Sequence, residues 1–436
     1  MTSYRIWFLL MLLFSSFGAQ GCNPGDETVY YSAGPARTVR KKVLQPERFF
    51  ISHDPLYNER QIEIMEGEHN VLPAWQYATG KGVLVAVVDG GYTPHPDYIE
   101  AIAPGGYDFV QEDEDPTLSE AEILEASTID GLGPDHFGGI ASLMGAREND
   151  YGLCGVAPEC QILPMRVFDA SLNPTSDELI SDAIDLARLR GARIISLSLG
   201  SSAASNRLYE STYRANEAGI IVVAAAGNDG QLLAAKGMEP NHYPSGFPWV
   251  ISVGATDFAY DKDGKPKIVR AEFSNYGASV DIYAHGAYLP IAAGFMYYRG
   301  QPIIGDFHTY GSGTSYATPL VAGTIALALE IMPTLSMQQA KALLIQTADN
   351  LEGVGKRLMN IGRFLQAVAD LAAPDELLLS DEPSLTDPPI GIPAPPLVLA
   401  ALNGEDTANE LVLLSAASRA KRIQSRLMGN NTIRHD

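Results

Sequence analysis

The chain has 436 residues, enough for one large α/β domain with appendages. With 46% hydrophobic and 19% charged residues, it has the composition of a globular protein. A net charge of −22, from 52 acidic against 30 basic residues, argues against binding nucleic acid or anionic lipid through a broad basic face.

At the N-terminus, Arg5 precedes the apolar run Ile6–Phe14, and small residues follow up to Gly21. This pattern predicts a secretory signal peptide over residues 1–21, with an apolar core too short to span a bilayer. Cys22 directly after Gly21 resembles a bacterial lipoprotein cleavage site, although Ala19 and Gln20 depart from the usual pattern. Two readings follow: lipidation of Cys22 with membrane attachment, or ordinary cleavage nearby and secretion. Either puts the mature chain outside the cytoplasm. Residues 22–53 read as an irregular segment. With Cys22 set aside, Cys154 and Cys160 form an even pair separated by five residues. They are either a small-loop disulfide or two buried thiols.

Val83–Val88 is a continuous β-branched run ending in Asp89-Gly90-Gly91, which places a carboxylate at the end of a buried parallel strand. The acidic stretch 111–115 reads as a solvated loop. Asp135–Ser142 sets His136 at the start of a small-residue helix reaching Ala146, and a loop over 147–152 follows. Ile162–Val167 is a strand. Thr175 to Glu178 has capping-box spacing before a helix whose apolar face carries Leu179, Ile180, Ala183, Ile184 and Ala187. Arg193–Gly200 is a strand, Asn206–Ala218 a helix, and Ile221–Ala226 a buried strand ending in Gly227-Asn228-Asp229. Another strand spans Pro248–Thr256. Gly311–Pro319 then leads into the apolar run Leu320–Leu329. Here Ser315 sits at a helix start, where free N–H groups favour developing negative charge. Pro319 lacks an N–H, so the Ser315 carbonyl is expected to lose its usual helical partner. Ser336 opens a further helix to Thr347, and residues 355–369 close the domain. From 372 to 436 the prolines mark a linker and tail, with a helix expected near 409–428.

The order Asp89, His136, Asn228, Ser315 in these settings resembles the subtilisin-like serine proteases, the subtilases, over about residues 54–371. Asp54–Tyr57 and Ala74–Gly82 are similar to the usual start of such a domain. The resemblance implies a three-layer α/β fold with a mostly parallel central sheet flanked by helices. It implies a serine endopeptidase in which Asp89, His136 and Ser315 form the triad and Asn228 donates to the oxyanion. It also implies that peptide substrate pairs along Ser198, Leu199 and Gly200 and along Ala226 and Gly227, and that no cofactor is needed for the chemistry. A structural calcium at Asp97, in Pro94-His95-Pro96-Asp97, and at Asn149 belongs to the same expectation, with a metal-free turn as the alternative. Residues 22–53 look too short for the folded propeptide that many subtilases carry.

Several positions depart from the family pattern. Phe137 replaces the glycine after the histidine, and its bulk is expected to reshape the substrate wall or shift His136. Gly139 replaces a second histidine, Tyr316 replaces the methionine after the serine, and His285 stands where the family has Ala-Pro-Gly and reads as structural. The alternative from another class is a catalytically silent scaffold acting as a binding protein in the cell envelope. An esterase using the same three residues is a further one.

Overall fold

The computed structural model describes residues 40–41, 52–126, 135–169, 176–299, 301–373 and 375–376. The signal segment, Cys22, most of 22–53, Thr175 and nearly all of the tail after 373 lie outside the described residues. The chain divides into two units. In the smaller, Arg40–Lys41 pairs antiparallel with Asp375–Glu376. The larger holds the described residues from 52 to 373.

Its elements, in chain order, are β1 (Leu84–Asp89), β2 (Tyr107–Asp108), α1 (Glu120–Ala126), α2 (His136–Gly145), β3 (Gln161–Arg166), α3 (Asp177–Leu189), β4 (Ile194–Leu197), α4 (Asn206–Glu217) and β5 (Ile221–Ala225). They continue with β6 (Val250–Tyr260), β7 (Pro266–Arg270), β8 (Ile282–His285), β9 (Leu289–Tyr298), β10 (Gln301–Gly311), α5 (Thr314–Ile331), α6 (Met337–Thr347), β11 (Asp349–Leu351), β12 (Gly355–Leu358) and α7 (Ile361–Ala372). The helix α3 starts one residue later than its capping-box spacing suggests. Ser176 is its cap, and the Ser176 hydroxyl accepts from Leu179 N–H. Ser336 caps α6 in a complete capping box with Gln339.

A ten-stranded sheet runs β11-β12-β8-β6-β5-β4-β1-β3-β2, with β7 on β6. Only the β11–β12 and β6–β7 pairs are antiparallel. The parallel strands are buried on both faces, which is why they read as unbroken apolar runs. Alternate residues serve opposite faces. Val85 and Val87 pack with Ile140, Leu320, Ile325 and Phe364 from α2, α5 and α7. Ala86 and Val88 pack with Ile180, Ile184 and Leu208 from α3 and α4. The result is three layers, helix–sheet–helix. α5 has a mean hydropathy of 1.2 over 18 residues, enough by length and composition for a membrane span, but 83% of it is buried as the central helix of one layer. Truncating one of its buried leucines to alanine should cost ~2–5 kcal/mol.

β1 lies inside the sheet. The chain moves to one side for β3 and β2 and to the other for β4, β5, β6 and β8. The order therefore reverses between β1 and β4. The crevice beyond the carboxyl ends of strands at such a point is where open α/β sheets bind ligands.

Candidate active site

Three of the sequence-predicted residues meet this edge directly. Asp89 is the last residue of β1, Asn228 follows β5, and Ser198 follows β4. Two helices start there, α2 with His136 as its first residue and α5 with Ser315 as its second. His136 Nδ1 lies 2.8 Å from Asp89 Oδ1, which also accepts from Gly90 N–H at 2.7 Å. The Asp89 side chain is fully buried, and that of His136 is 16% exposed. Burial works against the imidazolium, but the Asp89 carboxylate and its hydrogen bond, with Asp135 behind, hold the His136 pKa above the ordinary histidine value. Asp135 caps α2 by accepting from Gly138 N–H and also from the Thr93 hydroxyl, both at 2.8 Å. The sequence signal for it is an aspartate just before a helix.

Ser315 is held by a reciprocal contact with Ser198. Its hydroxyl donates to the Ser198 carbonyl at 3.2 Å, and the Ser198 hydroxyl donates to the Ser315 carbonyl at 2.7 Å. The second bond supplies the partner that Pro319 denies to that carbonyl. Asn228 is oriented by Thr314, whose N–H and hydroxyl donate to Asn228 Oδ1 at 2.8 and 2.9 Å. With Oδ1 so engaged, the NH₂ group is the end available to another acceptor. Asn275 fixes the loop that carries Asn228: its Oδ1 accepts from Gln231 N–H at 2.8 Å, and its NH₂ donates to Ala226 O at 2.9 Å. Thr314 and Asn275 carry no sequence signal for these roles, because both act on residues more than 40 positions away.

Leu199, Gly200, Gly227, Asn228 and Ser315 line a cleft of about 510 Å³. Of the five residues expected along the substrate, Leu199, Gly200 and Gly227 are on its wall. Ser198 stands behind Ser315. Ala226 is fully buried, with its N–H donating to Val253 O and its carbonyl accepting from Asn275. His242 also lines the cleft. A Cβ on Gly200 would stand 2.3 Å from its Cε1, and one on Gly227 would stand 2.8 Å from its Cδ2. The ring is thus wedged between the two walls. Burial holds its pKa below the ordinary histidine value, against the pull of Asp229.

Phe137 does not reshape the substrate wall. It is 1% exposed and packs inward against Tyr92 and Tyr98, with ring centroids 5.4 and 6.5 Å away. Gly139 and Tyr316 turn out to be one feature. A Cβ at Gly139 would stand 2.7 Å from the Tyr316 ring, and one at Gly311 would stand 2.6 Å from it. The small residue makes room for the large one, which lies 5.5 Å from the His136 ring. Gly139→Ala should therefore cost roughly 1–3 kcal/mol of stability and lower activity, whereas Gly139→Ala with Tyr316→Ala should recover part of both. A thermal melt and kcat/KM of the two single variants and the double variant check this. Strict additivity would separate the positions.

His285 is structural. Its Nδ1 lies 2.8 Å from Glu68 Oε2, its Nε2 lies 2.8 Å from Ala287 O, and its N–H donates to His69 Nε2 at 3.0 Å. Cys154 and Cys160 are free and buried. Burial pushes both thiols up, Cys160 to about 12, which leaves them poor nucleophiles. Residues 111–115 are exposed.

The calcium expectation rested on Asp97 and Asn149. Asn149 Oδ1 accepts from Tyr151 N–H at 3.0 Å, and its NH₂ donates to Pro96 O at 3.2 Å. Asp97 Oδ2 lies 2.8 Å from His308 Nε2 and accepts from Leu153 N–H at 3.3 Å. Calcium takes six to eight oxygens. The His308 imidazole against Asp97 fits an all-oxygen cage poorly, whereas Asn149 Oδ1, with one of its two lone pairs engaged, can still serve a cation.

Comparison with known proteins agrees with this fold. The profile of the Subtilase family matches residues 80–363. The chain is 33% identical to thermitase of Thermoactinomyces vulgaris over 311 residues, which is 70% of this chain and 94% of that protein. It is 34% identical to subtilisin Savinase of Lederbergia lenta over 275 residues, 63% of this chain and 86% of that protein. Among solved structures, a protease of Pseudoalteromonas arctica PAMC 21717 aligns with a TM-score of 0.60 at 26% identity, covering 73% of this chain and 99% of that one. The family profile and the relatives lead to one conclusion: the chain belongs to the subtilase family and is a subtilisin-like serine endopeptidase, acting on peptide or protein substrates.

Proposed function

We propose that Ser315 Oγ attacks the substrate carbonyl while His136 takes its proton. The observation that carries this is the 2.8 Å contact between His136 Nδ1 and Asp89, at the edge where α5 begins. That contact leaves Nε2 as the nitrogen that serves Ser315. A serine hydroxyl is a weak nucleophile at neutral pH, so a base must remove its proton as the bond forms. His136 then returns the proton to the leaving amine. Asp89 keeps the ring in the right tautomer and stabilises its charged form. The Asn228 NH₂ and the Ser315 N–H face the oxyanion. Subtilases need no cofactor for this sequence of steps.

The Ser315 hydroxyl donates to Ser198 O at 3.2 Å, and this is the one observation that favours the silent-scaffold reading. Catalytic hydrogen bonds are often long or misaligned before substrate arrives, and rotation about one side-chain bond swings Oγ away from Ser198. A serine-directed phosphonate separates the two readings. The active enzyme takes up one label, on Ser315, and loses hydrolysis. A folded protein that takes up none is a scaffold.

Peptide lies along Leu199–Gly200 and Gly227, with the side chain preceding the scissile bond entering the cleft that His242 shortens. His242→Gly should therefore raise kcat/KM for bulky residues at that position, relative to small ones, by roughly 10- to 200-fold. Competitive cleavage of a peptide library measures the ratio, and an unchanged ratio removes His242 from specificity.

The enzyme works outside the cytoplasm, on the strength of the signal reading over residues 1–21. If Cys22 is acylated, the mature protein sediments with membranes and Cys22→Ser releases it. A mature protein already soluble and unacylated excludes the anchor.

A further inference from the structure

One buried charge takes no part in the proposed chemistry. Lys236 lies between β5 and β6, and its side chain is 11% exposed. Its ammonium faces four oxygens. It donates to the carbonyls of Ser245 at 2.9 Å, Phe247 at 3.3 Å and Val250, and it lies 2.8 Å from Asp281 Oδ2. An ammonium has three N–H donors, so four acceptors leave none of them idle.

The three carbonyls belong to the segment that closes on His242. The Ser245 hydroxyl and the Gly246 N–H donate to His242 O at 2.9 and 2.6 Å. Tyr243 N–H donates to Ser201 O at 2.7 Å and Ser201 N–H to Tyr243 O at 2.9 Å, which joins the same turn to a residue of the cleft wall. The other side of the ammonium is anchored. Asp281 Oδ2 also accepts from Ser252 N–H of β6 at 2.9 Å, and Asp281 Oδ1 lies 2.7 Å from Lys341 Nζ of α6. Lys236 therefore ties the His242 turn to the sheet and to α6.

We propose that the Lys236 ammonium is a positioning group that holds His242 across the end of the cleft, and so sets the size of the substrate side chain that enters. This rests on the reading of His242 as the residue that shortens the cleft. A neutral Lys236 has only two N–H donors and turns a lone pair toward an oxygen. The ring of acceptors then comes apart, and His242 gains room to withdraw from between Gly200 and Gly227. The charged groups facing Lys236 are Asp281, in the turn before β8, and Lys341 on α6. Burial pushes the Lys236 pKa down to about 8, against the pull of Asp281 and with Lys341 adding to the fall. Because the folded value lies below the unfolded one, this group's contribution to stability rises with pH from about 8 toward the ordinary lysine value. A change of selectivity in that window therefore does not report unfolding.

The test is competitive cleavage of two peptides that differ only in the residue before the scissile bond, one bulky and one small. Their kcat/KM ratio cancels the titration of His136, which acts on both alike. In the wild type, the bulky-to-small ratio should rise as pH passes through about 8. Lys236→Ala should raise it roughly 10-fold, near the low end of what a change of pocket size achieves, and abolish its pH dependence. Propylammonium supplies the carbons and the ammonium lost beyond Cβ, and it should restore the low ratio in Lys236→Ala. Tetramethylammonium, which has the charge but no N–H donor, should not. The wild type in the same solutions is the control, and circular dichroism checks the fold. Three results overturn the proposal: a wild-type ratio in folded Lys236→Ala, equal rescue by tetramethylammonium, or, where that variant does not fold, a wild-type profile flat through about pH 8. His242→Gly keeps the two readings apart. Its ratio should be high at every pH. An unchanged ratio there overturns both readings, whereas a raised one beside a flat wild-type profile removes Lys236 alone.

Discussion

Ser315→Ala, His136→Ala and Asp89→Ala are each expected to remove nearly all peptide hydrolysis, by on the order of 10⁴- to 10⁶-fold in kcat. The triple variant should lose little more than the worst single one. In the proposed mechanism the three groups act as a unit: without its base the serine is not activated, and without the carboxylate the base is neither oriented nor stabilised. The fold should survive, because Ser315 is half-buried at a helix start and His136 is an end residue of α2. Asp89 is fully buried and accepts from Gly90 N–H, so its alanine variant should also lose some stability. The pH profile adds a check. The raised His136 pKa places the acid limb of kcat/KM above the ordinary histidine value. In Ser315→Ala, the stability this pair contributes is full below the unfolded histidine pKa and is lost as pH rises through the folded one. Steady-state kinetics on a peptide substrate, with circular dichroism of each variant, measure these effects. Ordinary activity in Ser315→Ala would sink the assignment.

Asn228→Ala should lower kcat about 10²- to 10³-fold with little change in KM, because in the proposed mechanism its NH₂ serves a charge that exists only in the transition state. The Thr314 contacts extend this. Thr314→Val keeps the backbone N–H to Asn228 Oδ1 but removes the hydroxyl that also donates to it. It should reduce kcat by a smaller factor, again without raising KM. That outcome would identify Thr314 as a positioning residue for Asn228. A loss confined to KM in both variants would mean that Asn228 holds the ground-state substrate instead.

Much of the site was legible because its signals are local. A buried parallel strand must be apolar on both faces, so Val83–Val88 and Ile221–Ala226 announce themselves, and a polar residue at their ends is conspicuous. Helix starts at His136 and Ser315 follow from small residues and a capping aspartate. Even the Ser315 carbonyl freed by Pro319 follows from the absence of one N–H. The partner that takes it, Ser198, is 117 positions away, and no local rule names it. The antiparallel pair β9–β10 gave no strand signal, because Pro290, Gly294, Pro302 and Gly305 interrupt its apolar runs.

The amino-acid sequence by itself determined which segments form the sheet and its covering layers, and the order in which Asp89, His136, Asn228 and Ser315 reach its edge. Periodicity, capping and backbone chemistry act within a few residues, and a single sequence carries them whole. Only the tertiary structure decided what fills space between distant segments. It turned Phe137 into the core, fitted Tyr316 against Gly139, and wedged His242 between Gly200 and Gly227. It brought His308 to 2.8 Å from Asp97 across 211 positions and His285 to Glu68 across 217. Such pairings depend on close packing of whole layers, where each side chain occupies the volume its neighbours leave, and that volume is written in no window of the sequence.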